Sequence, residues 1–162
     1  MEKSRINIIV GDKQSGKTTF LLDKIVRLKS EGKTVAGIVS RGTFIDNKRN
    51  AFYAVDISNS EEKLLMTAEK HKNLEQIGKF YIQKETFEWG KKILRNAVNS
   101  NVGIIVLDEI GFSEIVDNKA WADVIPLLVE SLKDLYFIVR KEFVDAFILK
   151  YKLTNVNIIQ NL

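Results

Sequence analysis

Apolar and polar positions fall into blocks along this chain, and the blocks have two different periods. Residues 6–10 form a short, nearly continuous apolar run that closes on Gly11, the pattern of a strand buried on both faces. Residues 17–30 then place Leu21, Leu22, Ile25, Val26 and Leu28 on one helical stripe, with Gly32 as the expected stop. Two β-rich stretches, 34–44 and 49–57, flank the polar Asp46-Asn47-Lys48 and predict an antiparallel hairpin. Residues 61–76 are polar and read as a loop or a short helix, and 79–82 as one more short strand. Phe87, Trp89, Ile93, Leu94, Ala97 and Val98 give 85–98 helical spacing. A second buried strand is expected over 103–107 and a third over 135–139. Helices are expected over 118–131, kinked or divided by Pro126, and over 142–150, with a last strand at 156–159. Alternating strand and helix patterns without repeats or linkers argue for an α/β fold, one domain over residues 1–162.

The junction of the first strand and first helix carries the strongest chemical signal. Gly11-Asp12-Lys13-Gln14-Ser15-Gly16-Lys17-Thr18 matches G-x-x-x-x-G-K-[ST] at every fixed position. Gly11 and Gly16 allow a tight turn and a close backbone approach to phosphate. The amides from about Lys13 onward are expected to form an anion nest at a helix N-terminus. Lys17 is expected to reach the β- and γ-phosphates and Thr18 to hold Mg²⁺. Thr19 serves either helix packing or an α-phosphate contact.

The second signal is the apolar run 103–107 ending in Asp108-Glu109. Such a strand delivers an acid to the carboxyl edge of the sheet, where Thr18 and Mg²⁺ would meet it. Asp108 is then the metal-side carboxylate and Glu109 the candidate general base for an attacking water. Two acids after a strand also cap helices or face solvent, and that alternative stands beside the first. His71, the one histidine, sits among polar residues and reads as solvated surface.

Composition changes this picture little. Lys plus Arg number 25 against 21 Asp plus Glu, a mild +4 that suits a polyanionic nucleotide and gives no case for nucleic acid. With no cysteine, disulfides and thiolate metal sites are excluded, and a cytoplasmic protein is expected. No apolar run approaches the roughly 18 residues of a membrane span, and the start leads directly into a strand pattern rather than a signal peptide. The guanine-reading Asn-Lys-x-Asp pattern is absent, so a site reading mainly phosphates, of ATP or GTP alike, is expected. Phe112, Trp121 and Phe44 are candidates to stack on a base, although aromatics at such spacing usually pack in a core.

Several segments resemble the small nucleoside-triphosphatases of the THEP type. These are Gly37-Ile38-Val39-Ser40, Arg49-Asn50-Ala51-Phe52, Gly78-Lys79-Phe80-Tyr81, Asp108-Glu109-Ile110-Gly111 followed by Glu114, and Ile138-Val139-Arg140. The chain departs from that family at Gln14, at Ala51 and at Phe112-Ser113. The resemblance implies a P-loop NTPase three-layer sandwich with a mainly parallel central sheet, an antiparallel hairpin extension, an additional strand and a catalytic glutamate. The strand at 135–139 would lie between the P-loop strand and the Asp108 strand. Arg140 would then stand near the γ-phosphate as an arginine finger in cis, or else start a helix and pair with Glu142 or solvent. The implied activity is Mg²⁺-dependent hydrolysis of nucleoside triphosphates with broad base tolerance. A nucleotide or small-molecule kinase and a slow nucleotide-binding module are the other readings.

Overall fold

The computed structural model describes residues 5–11 and 17–160, with nothing stated of the side chains of Gly11 and Lys17. Nine strands form one mixed sheet in the order β5-β6-β4-β3-β2-β7-β8-β1-β9. Five of them, β2 (Val35–Ile45), β7 (Ile104–Ile110), β8 (Asp134–Arg140), β1 (Ile6–Gly11) and β9 (Val156–Gln160), run parallel. The remainder, β3 (Lys48–Asp56), β4 (Glu62–Thr67), β5 (Gln76–Ile77) and β6 (Phe80–Ile82), continue from β2 as antiparallel hairpins. As expected, β8 is inserted between β1 and β7.

The buried strands sort their side chains by alternation. Ile9, Val106 and Ile138 face Leu21, Ile25 and Leu28 of α1 (Lys17–Ser30) on one side of the sheet. Ile8, Leu107 and Phe137 face the other side. There they meet α2 (Lys84–Val98), the short α3 (Phe112–Ile115), α4 (Ile125–Glu130) and α5 (Val144–Lys150). The helix–sheet–helix layering follows from strands that are apolar on both faces and must be covered twice.

Local chemistry sets the joints. α1 ends in a Schellman arrangement: Gly32 has φ 83°, its N–H reaches the Lys29 carbonyl, and the Lys33 N–H reaches that of Leu28. Asp46 and Asn47 have φ of 51° and 61°, the two left-handed residues that a type I′ hairpin needs between β2 and β3. Gly78, at φ 59°, turns β5 into β6.

Three expectations are corrected. Residues 62–67 form β4 rather than a loop or helix, while 68–75 are the expected loop and 76 begins β5. Lys63 looks polar in sequence, but it lies over the Trp89 ring at 4.9 Å while Leu65 and Thr67 turn inward against β3. The helix expected over 118–131 shrinks to α4. Asn118 and Ala120 are left-handed, and Pro126 occupies the first turn, where its missing N–H costs nothing, so it neither kinks nor divides a helix. The apolar stripe of α1 is also narrower than expected, because Leu22 and Val26 are exposed.

Gly37 sits where β2 meets β7. Its φ is 137°, and a Cβ there would lie 2.0 Å from the Val106 carbonyl oxygen. No alanine fits without parting the two strands. Gly37→Ala should therefore cost about 3 kcal/mol or more of unfolding free energy, seen as a lowered urea midpoint. An unchanged midpoint would show that the strands separate freely.

Candidate functional site

The carboxyl ends of β1, β8, β7 and β2 gather the predicted residues. Thr18, in the first turn of α1, donates its hydroxyl to Asp108 Oδ2 at 2.9 Å. The Ser40 N–H of β2 donates to the same oxygen at 3.0 Å. Asp108 is fully buried. The carboxylate is thus held against the P-loop helix across the width of β8. Thr19 is exposed, which removes its helix-packing role. The expectations for Asp12, Lys13, Gln14, Ser15 and Gly16, and for the side chains of Gly11 and Lys17, fall outside the described residues.

Glu109 follows Asp108 but points elsewhere, because the strand is irregular at this point. The register of β7 against β8 shifts between Leu107 and Ile110, and Glu109 has φ 72°. A bulge with a left-handed non-glycine residue costs of order 1–3 kcal/mol and re-aims the side chain. The result is that two consecutive acids both serve the same edge. Glu109 lies 3.6 Å from Arg140 Nε, and its side chain stays partly open to solvent. Arg140 ends β8 in register with Gly11 at the start of the P-loop. It pairs with Glu109 rather than with Glu142.

A second arginine, the first residue of the resembling segment Arg49-Asn50-Ala51-Phe52, lies near this edge. The Arg49 guanidinium lies between the rings of Phe44 and Phe52, 4.7 and 4.5 Å from their centres. Its stem fills the space above Gly42, where a Cβ would lie 2.8 Å from Arg49 Cδ. Burial lowers its pKa, the negative charge of Glu109 opposes that, Arg140 lowers it further, and Asp108 raises it. Arg49 therefore shares one electrostatic environment with both acids and with Arg140.

Beside Glu109 and Arg140 opens a cavity of about 360 Å³. Of the three stacking candidates, Phe112 and Trp121 line it and Phe44 does not, being engaged with Arg49. Trp121 is buried against Phe87, and Gly90 of α2 makes room for it, since a Cβ there would lie 2.6 Å from the indole. Phe112 is half exposed and packs edge-on against Phe143. His71 is exposed, as expected.

Glu114 supports this edge from beneath. Its Oε1 accepts the Gly111 N–H at 3.0 Å and its Oε2 the Trp121 N–H at 3.2 Å, tying the turn after β7 to the cavity wall. Lys150 of α5 caps the end of α3 through the carbonyls of Glu114 and Ile115, at 2.6 and 3.1 Å, and also reaches the Asn118 side chain.

Donors, acids and strand order together define a P-loop NTPase fold. A family model described as NTPase matches residues 7–160, and the chain belongs to the THEP-type nucleoside-triphosphatase family. Two solved structures share the fold. THEP1 from the hyperthermophile Aquifex aeolicus is 21% identical, with a TM-score of 0.72 covering 96% of this chain and 89% of that one. A human cancer-related nucleoside triphosphatase is 20% identical, with a TM-score of 0.73 covering 97% and 88%. No curated protein sequence matches the chain. Among the described residues no helix is long and apolar enough to cross a membrane.

Glu114 also gives the fold a pH dependence. Burial pushes its carboxyl up to about 7, against the two backbone N–H donors and with a further push from Glu109. A carboxyl whose pKa is higher folded than unfolded stabilises the fold fully below its ordinary pKa of 4.5 and loses that contribution as pH rises toward 7. The wild type should therefore lose about 3 kcal/mol more than Glu114→Gln as pH rises through this window. Urea unfolding of both proteins at about pH 5 and about pH 8 checks it, and parallel curves would refute the assignment.

Proposed function

We propose that this chain hydrolyses nucleoside triphosphates to the diphosphate and phosphate, with Mg²⁺ and with tolerance for several bases. The observation that carries the reading is the bond from Thr18 to the buried Asp108, with Glu109 and Arg140 beside it. The donor set fits magnesium: one hydroxyl and one carboxylate are hard oxygen ligands, and Mg²⁺ commonly takes one or two carboxylates with waters and phosphate oxygens for the rest. When bound, the ion would neutralise charge on the β- and γ-phosphates.

The protein's own part is positioning and charge. Thr18 and Asp108 hold the metal side of the triphosphate. Glu109 accepts a proton from the attacking water. Arg140 faces the charge that builds on the γ-phosphoryl oxygens. Base tolerance rests on what surrounds the site. Phe44 is committed to Arg49, and no guanine-reading motif is present.

Phosphate release from ATP, GTP, CTP and UTP, with and without Mg²⁺, tests the proposal. Glu109→Gln should keep nucleotide affinity while turnover falls about 10²-fold or more. Turnover at the wild-type rate would remove Glu109 from the reaction. Arg140→Ala should lower kcat by about 10³-fold, with KM moving less; a change confined to KM would make it a binding residue only.

A further inference from the structure

The cavity beside Glu109 is far larger than hydrolysis requires. One attacking water needs about 30 Å³, and the cavity holds about 360 Å³, within the range of small-molecule sites. Its walls are aromatic. Phe52 and Phe80 meet edge-on at 5.4 Å, and Phe87 and Trp121 are tilted at 4.8 Å. Glu109, Arg140 and Ser40 line it at the carboxyl edge of the sheet, and Lys79 lines it from the β5–β6 turn. The Ser40 hydroxyl is buried and has no hydrogen-bond partner among the described residues. A buried hydroxyl left so costs about 1–3 kcal/mol, a cost removed when a ligand brings it a partner.

The position of the cavity says which reactant it serves. In phosphoryl transfer the attacking oxygen and the leaving oxygen lie in line on opposite sides of phosphorus. The leaving oxygen belongs to the β-phosphate, on the side of β1 and the P-loop. Glu109 faces the attacking oxygen. The cavity opens at Glu109 and runs away from β1, beneath β3, β4 and the β5–β6 hairpin. With Glu109 as the base, the cavity lies on the nucleophile's side of the γ-phosphate.

We infer, resting on Glu109 as the base of nucleotide turnover, that this cavity seats a second substrate: an alcohol carrying a planar aromatic ring, whose hydroxyl replaces water as phosphoryl acceptor. The ring stacks among Phe52, Phe80, Phe87 and Trp121, and the hydroxyl reaches the carboxyl edge of the sheet. The acceptor oxygen forms a bond to the γ-phosphorus as the bond from phosphorus to the bridging β,γ-oxygen breaks. The electron pair leaves with the nucleoside diphosphate, and the hydroxyl proton passes to the Glu109 carboxylate. Water remains the slower acceptor when the cavity holds no alcohol.

The test incubates the full chain with Mg²⁺ and γ-phosphate-labelled ATP, alone and with adenosine, thymidine or pyridoxine, and separates labelled acceptor from free phosphate. The expected result is that at least one alcohol is labelled faster than phosphate is released to water. Ile77→Trp, which fills the cavity from the β5 edge, should reduce that transfer by about tenfold or more, and Ser40→Ala should reduce it severalfold. Thermal unfolding midpoints report whether each variant is folded. Release of phosphate with no labelled acceptor overturns the inference and leaves hydrolysis standing. Labelling that persists undiminished in both folded variants also overturns it, by placing the acceptor elsewhere. Neither release nor labelling would remove the hydrolytic reading along with the inference.

Discussion

A carboxylate with no exposed surface is unstable unless other groups replace the water it has lost, and Asp108 is such a carboxylate. Two of those groups are the Thr18 hydroxyl and the Ser40 N–H, both on Oδ2. They come from α1 and β2, one on each side of the strand that carries the acid. Losing either element would leave a buried charge with less solvation, so the P-loop helix, β7 and β2 are stable at this edge only together. The same arrangement fixes Asp108 at the carboxyl edge of the sheet, against the first turn of α1.

Around that fixed acid the remaining groups are set by departures from regular structure. The bulge at Glu109 turns what would be alternating side chains into two acids on one edge. Gly37 lets β2 come close enough for the Ser40 amide to reach β7. Glu114 then binds the turn after β7 to Trp121, so the wall of the cavity and the carboxyl edge of the sheet share one brace. Each irregularity costs stability locally, and the apolar clusters on both faces of the sheet offset it.

Most of the parallel half was legible in the sequence because continuous apolar runs such as Ile104–Leu107 have few other destinations. The place of β8 between β1 and β7 came from the family resemblance, since no run of residues states which neighbours it will have. β4 was not legible: its exposed end is Glu62-Lys63, and only pairing with β3 makes it a strand. The residues 118–124 failed for a different reason, since left-handed Asn118 and Ala120 leave no local trace beyond an ordinary polar segment. In the site, Thr18, Asp108 and Glu109 were legible as motif members. Arg140 was legible as a position, and the structure supplied its partner. The motif segment did not foretell the siting of Arg49 beside Glu109, because that proximity is created by the β2–β3 hairpin folding back over Gly42. Ser40 was noticed only as part of a resembling strand, and its two roles depend on β2 lying against β7.

The two halves of the sheet differ in how much alteration they can absorb. In the parallel half, a slip of one residue in β8 would exchange its faces and carry Arg140 away from Glu109. Lengthening or shortening those strands is therefore closed to descent by small steps. The antiparallel half ends in two-residue turns at Asp46-Asn47 and Gly78-Lys79, which can grow without disturbing any register on the far side of β2. Relatives of this chain can thus diverge in what they admit beside the γ-phosphate while keeping the way they hold it. The hairpin flank is the part of the fold through which a common chemistry can be given new work.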